Sequence, residues 1–234
     1  MKKIVLVHGM NGTKESWNTL QKELEKALDV KTEAIDLPGH DITTNPFQML
    51  LSGTFGLYES GISMDDYVDE VARAFAAGNS NDTVLIGHSL GGAVISHVAA
   101  MYPERVARLV YVAAMLPDQG QSARTIINEV KENPSPIIDT IGDYFLYLKK
   151  LRFVRQPEEP LGAVFNRTPV FEALPKGYVL CLKDDVIPKE MQGIMIDAYK
   201  KTVEPPKVEP LNSGHLPQYE NPDELVKTIR TLLL

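Results

Sequence analysis

Short apolar runs alternate with longer amphipathic stretches along most of this chain. The runs are rich in β-branched residues and lie at 3–7, 30–37, 83–86, 106–113, 177–182 and 207–211. Runs of this length, bounded by Gly, Pro and polar residues, predict six β-strands. The run at 106–113 is almost continuously apolar, which is typical of a strand covered on both faces of its sheet.

The stretches between these runs carry apolar residues at the spacing of one helical face. They cover 16–28, 63–75, 89–101, 189–199 and 223–233, and they predict five α-helices. We expect Ser63 to cap the second helix and Asn221 to cap the last one, with Pro222 at its first position. Strands that alternate with helices predict an α/β fold, with a mostly parallel six-stranded sheet and helices on both faces.

The segment 117–175 lacks this regular pattern. It holds seven of the 16 prolines, namely Pro117, Pro134, Pro136, Pro157, Pro160, Pro169 and Pro175. We predict that 117–175 is a lid, or cap, insertion above the strand ends. The residues 1–116 and 176–234 would then form a single core domain.

Composition excludes several classes of protein. The chain has 234 residues, one cysteine and a net charge of −7, so neither a disulfide framework nor a cysteine-based metal site is expected. The acidic balance argues against binding to nucleic acid or to an anionic membrane. The N-terminal apolar run is too short for a signal peptide, which predicts a cytoplasmic protein. As a separate expectation, the protein is a monomer or a homodimer.

One motif indicates catalysis. Gly87-His88-Ser89-Leu90-Gly91 matches G-x-S-x-G, and it follows a predicted strand and precedes a predicted helix. In this motif a sharp turn exposes the serine hydroxyl at a helix N-terminus, whose partial positive charge favours a developing anion. The glycines allow the turn to approach its neighbours closely. Ser89 is therefore the predicted nucleophile.

A base is expected after the nucleophile in chain order. The five histidines are His8, His40, His88, His97 and His215. Only His215 follows Ser89 at a distance, in a Gly-containing loop before the last helix. His97 lies in the same predicted helix as Ser89, and His88 adjoins the serine on the opposite side of the turn. His215 is therefore the predicted base.

Two adjacent carboxylates compete for the role of the triad acid. Asp184 and Asp185 both follow the strand predicted at 177–182, and the acid must orient the ring of His215. Asp184 is nearer to the strand end and is the preferred candidate. The alternative is Asp185, which otherwise serves as a solvated residue that caps the following helix.

The predicted oxyanion hole consists of two backbone amides. The strand at 3–7 ends in His8-Gly9-Met10. In folds that carry the G-x-S-x-G turn, one N–H comes from a loop after an early strand and the other from the residue after the nucleophile. These are the amides of Met10 and Leu90.

The motifs together resemble the α/β-hydrolase superfamily. Within it, the chain is similar to the plant methylesterase and hydroxynitrile lyase family and to bacterial salicylate-esterase-like relatives. The similarity is strongest at 8–20, 86–118 and 183–197 and fades over 119–175. In that family the acid stands four residues before a proline, which corresponds to Asp184 and Pro188 here.

The resemblance implies a serine carboxylic ester hydrolase for small aromatic or apolar, methyl-type esters, with no cofactor and no metal. Expected substrate contacts are Gly9, His88, Met115, Leu116, Tyr144 and Leu148. One alternative is a lyase or C–C hydrolase that uses the same triad. Cyanohydrin lyases of this family carry a lysine where this chain has Leu216, which favours the esterase. Another alternative is a ligand-binding relative with slow turnover.

Overall fold

A computed structural model describes residues 3–40, 57–75, 81–132 and 154–234. The strands in these ranges are β1 (Lys3–Val7), β2 (Lys31–Ile35), β3 (Leu57–Tyr58), β4 (Thr83–His88), β5 (Val106–Val112), β6 (Gln156–Pro157), β7 (Lys176–Cys181) and β8 (Lys207–Leu211). Six of them form one sheet in the order β2-β1-β4-β5-β7-β8, and every neighbouring pair is parallel. The prediction of six strands in one mostly parallel sheet is confirmed.

Successive residues of the central strands point to opposite faces of this sheet. In β1, Val5 and Val7 join one hydrophobic core, whereas Ile4 and Leu6 join the other. All four side chains are fully buried. The near-continuous apolar sequence of the central strands follows from this burial on both faces.

Helices cover both faces of the sheet, but more of them contribute to one face than to the other. The described helices are α1 (Asn18–Leu28), α2 (Met64–Arg73), α3 (Leu90–Met101), α4 (Ala123–Glu132), α5 (Pro169–Glu172), α6 (Lys189–Asp197), α7 (Pro217–Glu220) and α8 (Pro222–Leu233). Helices α1 and α8 pack on one face, while α2, α3 and α6 contribute to the core on the other. None of the helices in these ranges is both long and apolar enough to cross a bilayer.

The five predicted helices are present, with small shifts at their ends. The helix expected over 16–28 begins instead with a 3-10 turn over Lys14–Trp17. Ser63 caps α2 as predicted, because its hydroxyl accepts from the Asp66 N–H while Asp66 accepts from the Ser63 N–H. Asn221 stands before α8, but its side chain makes no capping hydrogen bond.

Sequence reasoning missed helix α4. Its apolar positions Ala123, Ile126, Ile127 and Val130 have the i, i+3, i+4, i+7 spacing of an amphipathic helix, and Ala123 and Ile126 are buried. The many prolines elsewhere in 117–175 obscured this short signal. The start of the predicted lid is therefore regular and joined to the core.

The end of the predicted lid is anchored to the core as well. Strand β6 pairs with β3, and Asn11 and Val154 exchange two hydrogen bonds, of 2.9 and 3.5 Å. The Gln156 side chain is fully buried, and the His40 ring meets its Oε1 at 2.9 Å. These contacts fix residues 154–157 beside the loops that follow β1 and β2.

The backbone of α3 approaches the sheet unusually closely. A Cβ on Gly91 would lie 2.4 Å from the carbonyl oxygen of Val7, and one on Gly87 would lie 2.5 Å from the carbonyl oxygen of Gly91. Contacts this short are impossible for any side chain unless the backbone moves. Only glycine at both positions lets the helix begin directly over the ends of β1 and β4.

Substitution of Gly91 tests this close approach. We expect Gly91→Ala to lower the free energy of unfolding by at least about 1–3 kcal/mol, because the added methyl group must displace backbone. Gly193→Ala is the matched control, since Gly193 lies within α6 and a Cβ there would meet nothing within 4 Å. That variant should gain up to about 1 kcal/mol from helix propensity. Urea unfolding measures the free energy of unfolding of both variants, and equal values would contradict the close approach of α3 to the sheet.

Candidate active site

Ser89 occupies a sharp turn between β4 and α3. Its backbone has φ 51° and ψ −121°, a conformation that residues other than glycine rarely adopt and that persists only when the surroundings enforce it. The Ser89 N–H donates to the Val112 carbonyl at 3.3 Å. The Ser89 carbonyl accepts from the N–H groups of Met115 at 2.9 Å and Gly92 at 3.1 Å. The end of β5 therefore holds the turn that presents the Ser89 side chain.

Asp184 lies in the loop after β7 and is 5% exposed. Its Oδ1 accepts from the backbone N–H groups of Val186 at 2.9 Å and Ile187 at 2.8 Å. Its Oδ2 accepts from Gln192 Nε2 at 3.1 Å and meets His215 Nδ1 at 2.9 Å. Four hydrogen bonds thus fix this carboxylate, whereas the side chain of Asp185 is exposed.

His215 is buried in the loop between β8 and α7. Burial by itself would lower the pKa of His215, but the Asp184 carboxylate raises it. Asp185 and Glu220 add smaller contributions in the same direction, and the net result is a pKa above the ordinary value of 6.5. The Asp184 contact also places the Nδ1 proton between the two groups, which leaves Nε2 as the basic nitrogen of the neutral ring.

His88 connects the serine turn to the His215 loop. Its Nε2–H donates to the His215 carbonyl at 2.7 Å, and the centres of the two rings lie 4.8 Å apart. Burial and the neighbouring His215 lower the pKa of His88 to about 3, so its ring is neutral at physiological pH. His88, expected from sequence as a substrate contact, thus has its Nε2 engaged by the protein main chain.

The structure joins the three predicted catalytic residues unequally. Asp184 and His215 are in direct hydrogen-bond contact. Ser89 reaches the His215 loop through its chain neighbour His88. Within the described ranges the Ser89 hydroxyl makes no hydrogen bond, and its side chain remains 7% exposed. Contacts between nucleophile and base are often loose in the absence of substrate and tighten when it binds.

The two predicted oxyanion-hole amides border the serine turn. A Cβ on Gly9 would lie 2.8 Å from the Ser89 Cβ, so the backbone that leads into Met10 passes directly beside the nucleophile. The N–H groups of Met10 and Leu90 make no hydrogen bond to any part of the chain that the structure describes. Both donors are therefore available to an acceptor that reaches Ser89.

The other predicted substrate contacts are only partly described. Met115 and Leu116 are buried beside the serine turn, where the Leu116 N–H meets the Met195 Sδ at 3.4 Å. Tyr144 and Leu148 lie outside the described residues. A cavity of about 410 Å³ opens elsewhere, next to the Asp36–His40 turn. Charged residues of both signs line it and none of the three catalytic candidates does, so it does not serve as the acyl pocket.

Sequence reasoning missed three supporting residues. The amide of Gln192 orients Asp184, the ring of His88 holds the His215 carbonyl, and the carboxylate of Glu220 accepts hydrogen bonds from the His215 loop. Gln192 and Glu220 resemble ordinary surface residues of a helix in the sequence. Only His88 offers a signal in the sequence, its position next to Ser89, and that position predicts a substrate contact, not a bond to the His215 loop.

Known proteins resemble this chain over nearly its whole length. A model described as the alpha/beta hydrolase family matches residues 4–228. The pyrethroid hydrolase of Sphingobium wenxiniae is 27% identical over 255 residues, covering 97% of this chain and 85% of that protein. Methylesterase 7 of Arabidopsis thaliana is 23% identical and covers 96% of this chain and 93% of that protein.

A solved structure shares the fold. The crystal structure of a pyrethroid hydrolase from Sphingobium faniae aligns with a TM-score of 0.75 at 24% sequence identity, over 98% of this chain and 96% of that chain. The resemblance inferred from the sequence motifs is confirmed by these relatives. With a family match over nearly its whole length and a fold shared with a solved member, the chain belongs to the alpha/beta hydrolase family.

Proposed function

We propose that this esterase-type hydrolase cleaves small apolar or aromatic carboxylic esters with a Ser89–His215–Asp184 triad. The observation that carries the proposal is the buried contact of His215 Nδ1 with Asp184 Oδ2, at 2.9 Å, in a loop hydrogen-bonded to the serine turn. The names of the relatives, a pyrethroid hydrolase and a methylesterase, support an ester as the substrate.

The proposed reaction has two stages. His215 Nε2 takes the hydroxyl proton as Ser89 Oγ attacks the ester carbonyl carbon, and the carbonyl oxygen becomes an oxyanion. The tetrahedral intermediate expels the alcohol, which receives the proton from His215. Water then attacks the acyl-enzyme with His215 as the base and releases the carboxylic acid.

Each supporting group has a defined role in this reaction. The N–H groups of Met10 and Leu90 donate to the oxyanion, and each such donor contributes about 10²–10³ in rate. Asp184 holds the tautomer of His215 and stabilises the imidazolium that forms. The positive end of α3 lies at Ser89 and favours the same anion.

Apolar residues near the serine turn support the proposed substrate class. Met115 and Leu116 are buried next to the serine turn, and the resemblance to methylesterases favours a short alcohol group. Leu216 follows His215 and is itself buried, so this position carries no ammonium group that could stabilise a departing cyanide. The esterase is therefore better supported than the lyase, whose signature would be cyanide release from mandelonitrile.

Removal of the nucleophile is the first test. Ser89→Ala should reduce kcat for p-nitrophenyl acetate by about 10³-fold or more, because no acyl-enzyme can form. A fluorophosphonate probe should label the wild type and should not label the variant. Unchanged turnover in a folded Ser89→Ala protein would refute the proposal.

The two adjacent aspartates allow a matched comparison. Asp184→Asn should lower kcat by about 10³–10⁴-fold, because the amide holds His215 in the wrong tautomer and removes the charge that stabilises the imidazolium. Asp185→Asn should leave kcat within about threefold, as expected for an exposed side chain. The opposite ranking would assign the acid to Asp185.

The pH profile follows from the pKa of His215. Only the neutral ring can accept the Ser89 proton, so kcat/KM should be lost as the pH falls through this pKa and should reach a plateau above it. Because the folded protein raises the pKa of His215 above 6.5, the inflection should lie on the alkaline side of that value. Steady-state rates with a neutral ester over a pH series measure it. An inflection clearly below 6.5 would contradict the proposed role of Asp184.

A further inference from the structure

The carboxylate of Glu220 binds the main chain on both sides of His215. Its Oε2 accepts from the Gly214 N–H at 2.5 Å and from the Ser213 hydroxyl at 2.9 Å. Its Oε1 accepts from the Leu216 N–H at 3.1 Å. One side chain thus satisfies three donors of the loop that carries the proposed base.

His88 holds the same loop from the opposite direction. Its ring donates to the carbonyl of His215, the residue between the two amides that Glu220 binds. The peptide groups around His215 are therefore fixed by an acceptor on one side and a donor on the other. Asp184, by contrast, contacts only the ring of His215.

Local geometry shows that the Glu220 contact is close. A Cβ on Gly214 would lie 2.8 Å from Glu220 Oε2, so a side chain at position 214 would push the carboxylate away from the loop. Helix α7 returns Glu220 to this position within one turn, because the N–H groups of Tyr219 and Glu220 both donate to the Leu216 carbonyl. The loop and the carboxylate form one compact unit.

We infer that Glu220 is a positioning residue for the proposed base, which it serves through the backbone of 213–216 without touching substrate. The inference rests on the proposed function of His215. Loops between elements are mobile unless they are tied down, and an error of about 1 Å in the position of a catalytic group reduces the rate by about 10²-fold. Asp184 sets the rotation of the His215 ring, and Glu220 sets the position of the backbone to which that ring is attached.

The test compares two substitutions that each remove one negative charge. Glu220→Gln keeps the shape of the side chain but presents an NH2 group to at least one of the three donors. Glu224→Gln is the control, since Glu224 lies on α8 and its carboxylate forms an exposed pair with Lys227. We expect Glu220→Gln to lower kcat for p-nitrophenyl acetate by about 10–100-fold with KM nearly unchanged. The control should stay within about twofold.

Two further measurements separate positioning from a general loss of stability. Amide hydrogen exchange at Gly214 and Leu216 should accelerate in Glu220→Gln, while exchange in β4 and β5 stays as in the wild type. The His215 ring, titrated by NMR, should show a lower pKa in this variant, because a carboxylate that raises it is lost. A purely structural role would change the melting temperature but leave kcat unchanged in the folded protein.

The outcomes distinguish this inference from the proposed function. If the wild type hydrolyses esters and Glu220→Gln keeps full kcat, the inference is overturned and the proposed function stands. If the wild type neither hydrolyses esters nor reacts with the fluorophosphonate, the proposed function fails. In that case hydrogen exchange and the His215 titration alone decide whether Glu220 fixes the loop around His215. Unchanged exchange at Gly214 and Leu216 together with an unchanged His215 titration would overturn it.

Discussion

The site depends on the close approach of the α3 backbone to the carboxyl ends of β1 and β4. Glycines at 87 and 91 permit separations that any side chain would prevent. Because α3 lies so close to the sheet, the turn between β4 and α3 is tight, and Ser89 adopts a φ of 51° in it. Hydrogen bonds from the end of β5 hold the turn in that conformation. The strain is thus maintained by the sheet itself, and the position of the Ser89 hydroxyl at the start of α3 is its result.

The remaining groups of the site depend on the same edge of the sheet. Parallel strands all end on one side, so the loops after β1, β4, β5, β7 and β8 meet there. Each loop contributes one kind of group: a backbone donor, a hydroxyl, an apolar wall, a carboxylate or an imidazole. Because these loops are irregular, two of them are stabilised by side chains that lie outside the proposed reaction, Gln192 on Asp184 and Glu220 on the His215 loop.

Charge in the site is arranged around a single titrating ring. Asp184 contacts the ring directly, and Asp185 and Glu220 act on it from farther away, so the pKa of His215 lies above its ordinary value in spite of burial. His88 lies next to it and remains neutral, since a second buried cation would have no carboxylate of its own. The two neighbouring histidines therefore differ: His215 is the proposed base, and His88 donates a fixed hydrogen bond to the main chain.

The sequence by itself determined the six strands of the main sheet, five of the helices and their order, and it indicated the proposed nucleophile. Periodicity and the spacing of glycines are local properties, so strands such as 3–7 and 207–211 and the turn at Ser89 could be predicted from neighbouring residues. The tertiary structure decided which side chains meet across long separations. Asp184 bonds a ring 31 residues away. The sequence favoured it over Asp185 by its distance from the strand end, but only the fold shows that its carboxylate is the buried and hydrogen-bonded one. Gln192 and Glu220 were missed for a different reason. Their bonds to Asp184 and to the His215 loop span only four to eight residues, but they depend on the irregular conformation of those loops, which no periodic pattern in the sequence encodes.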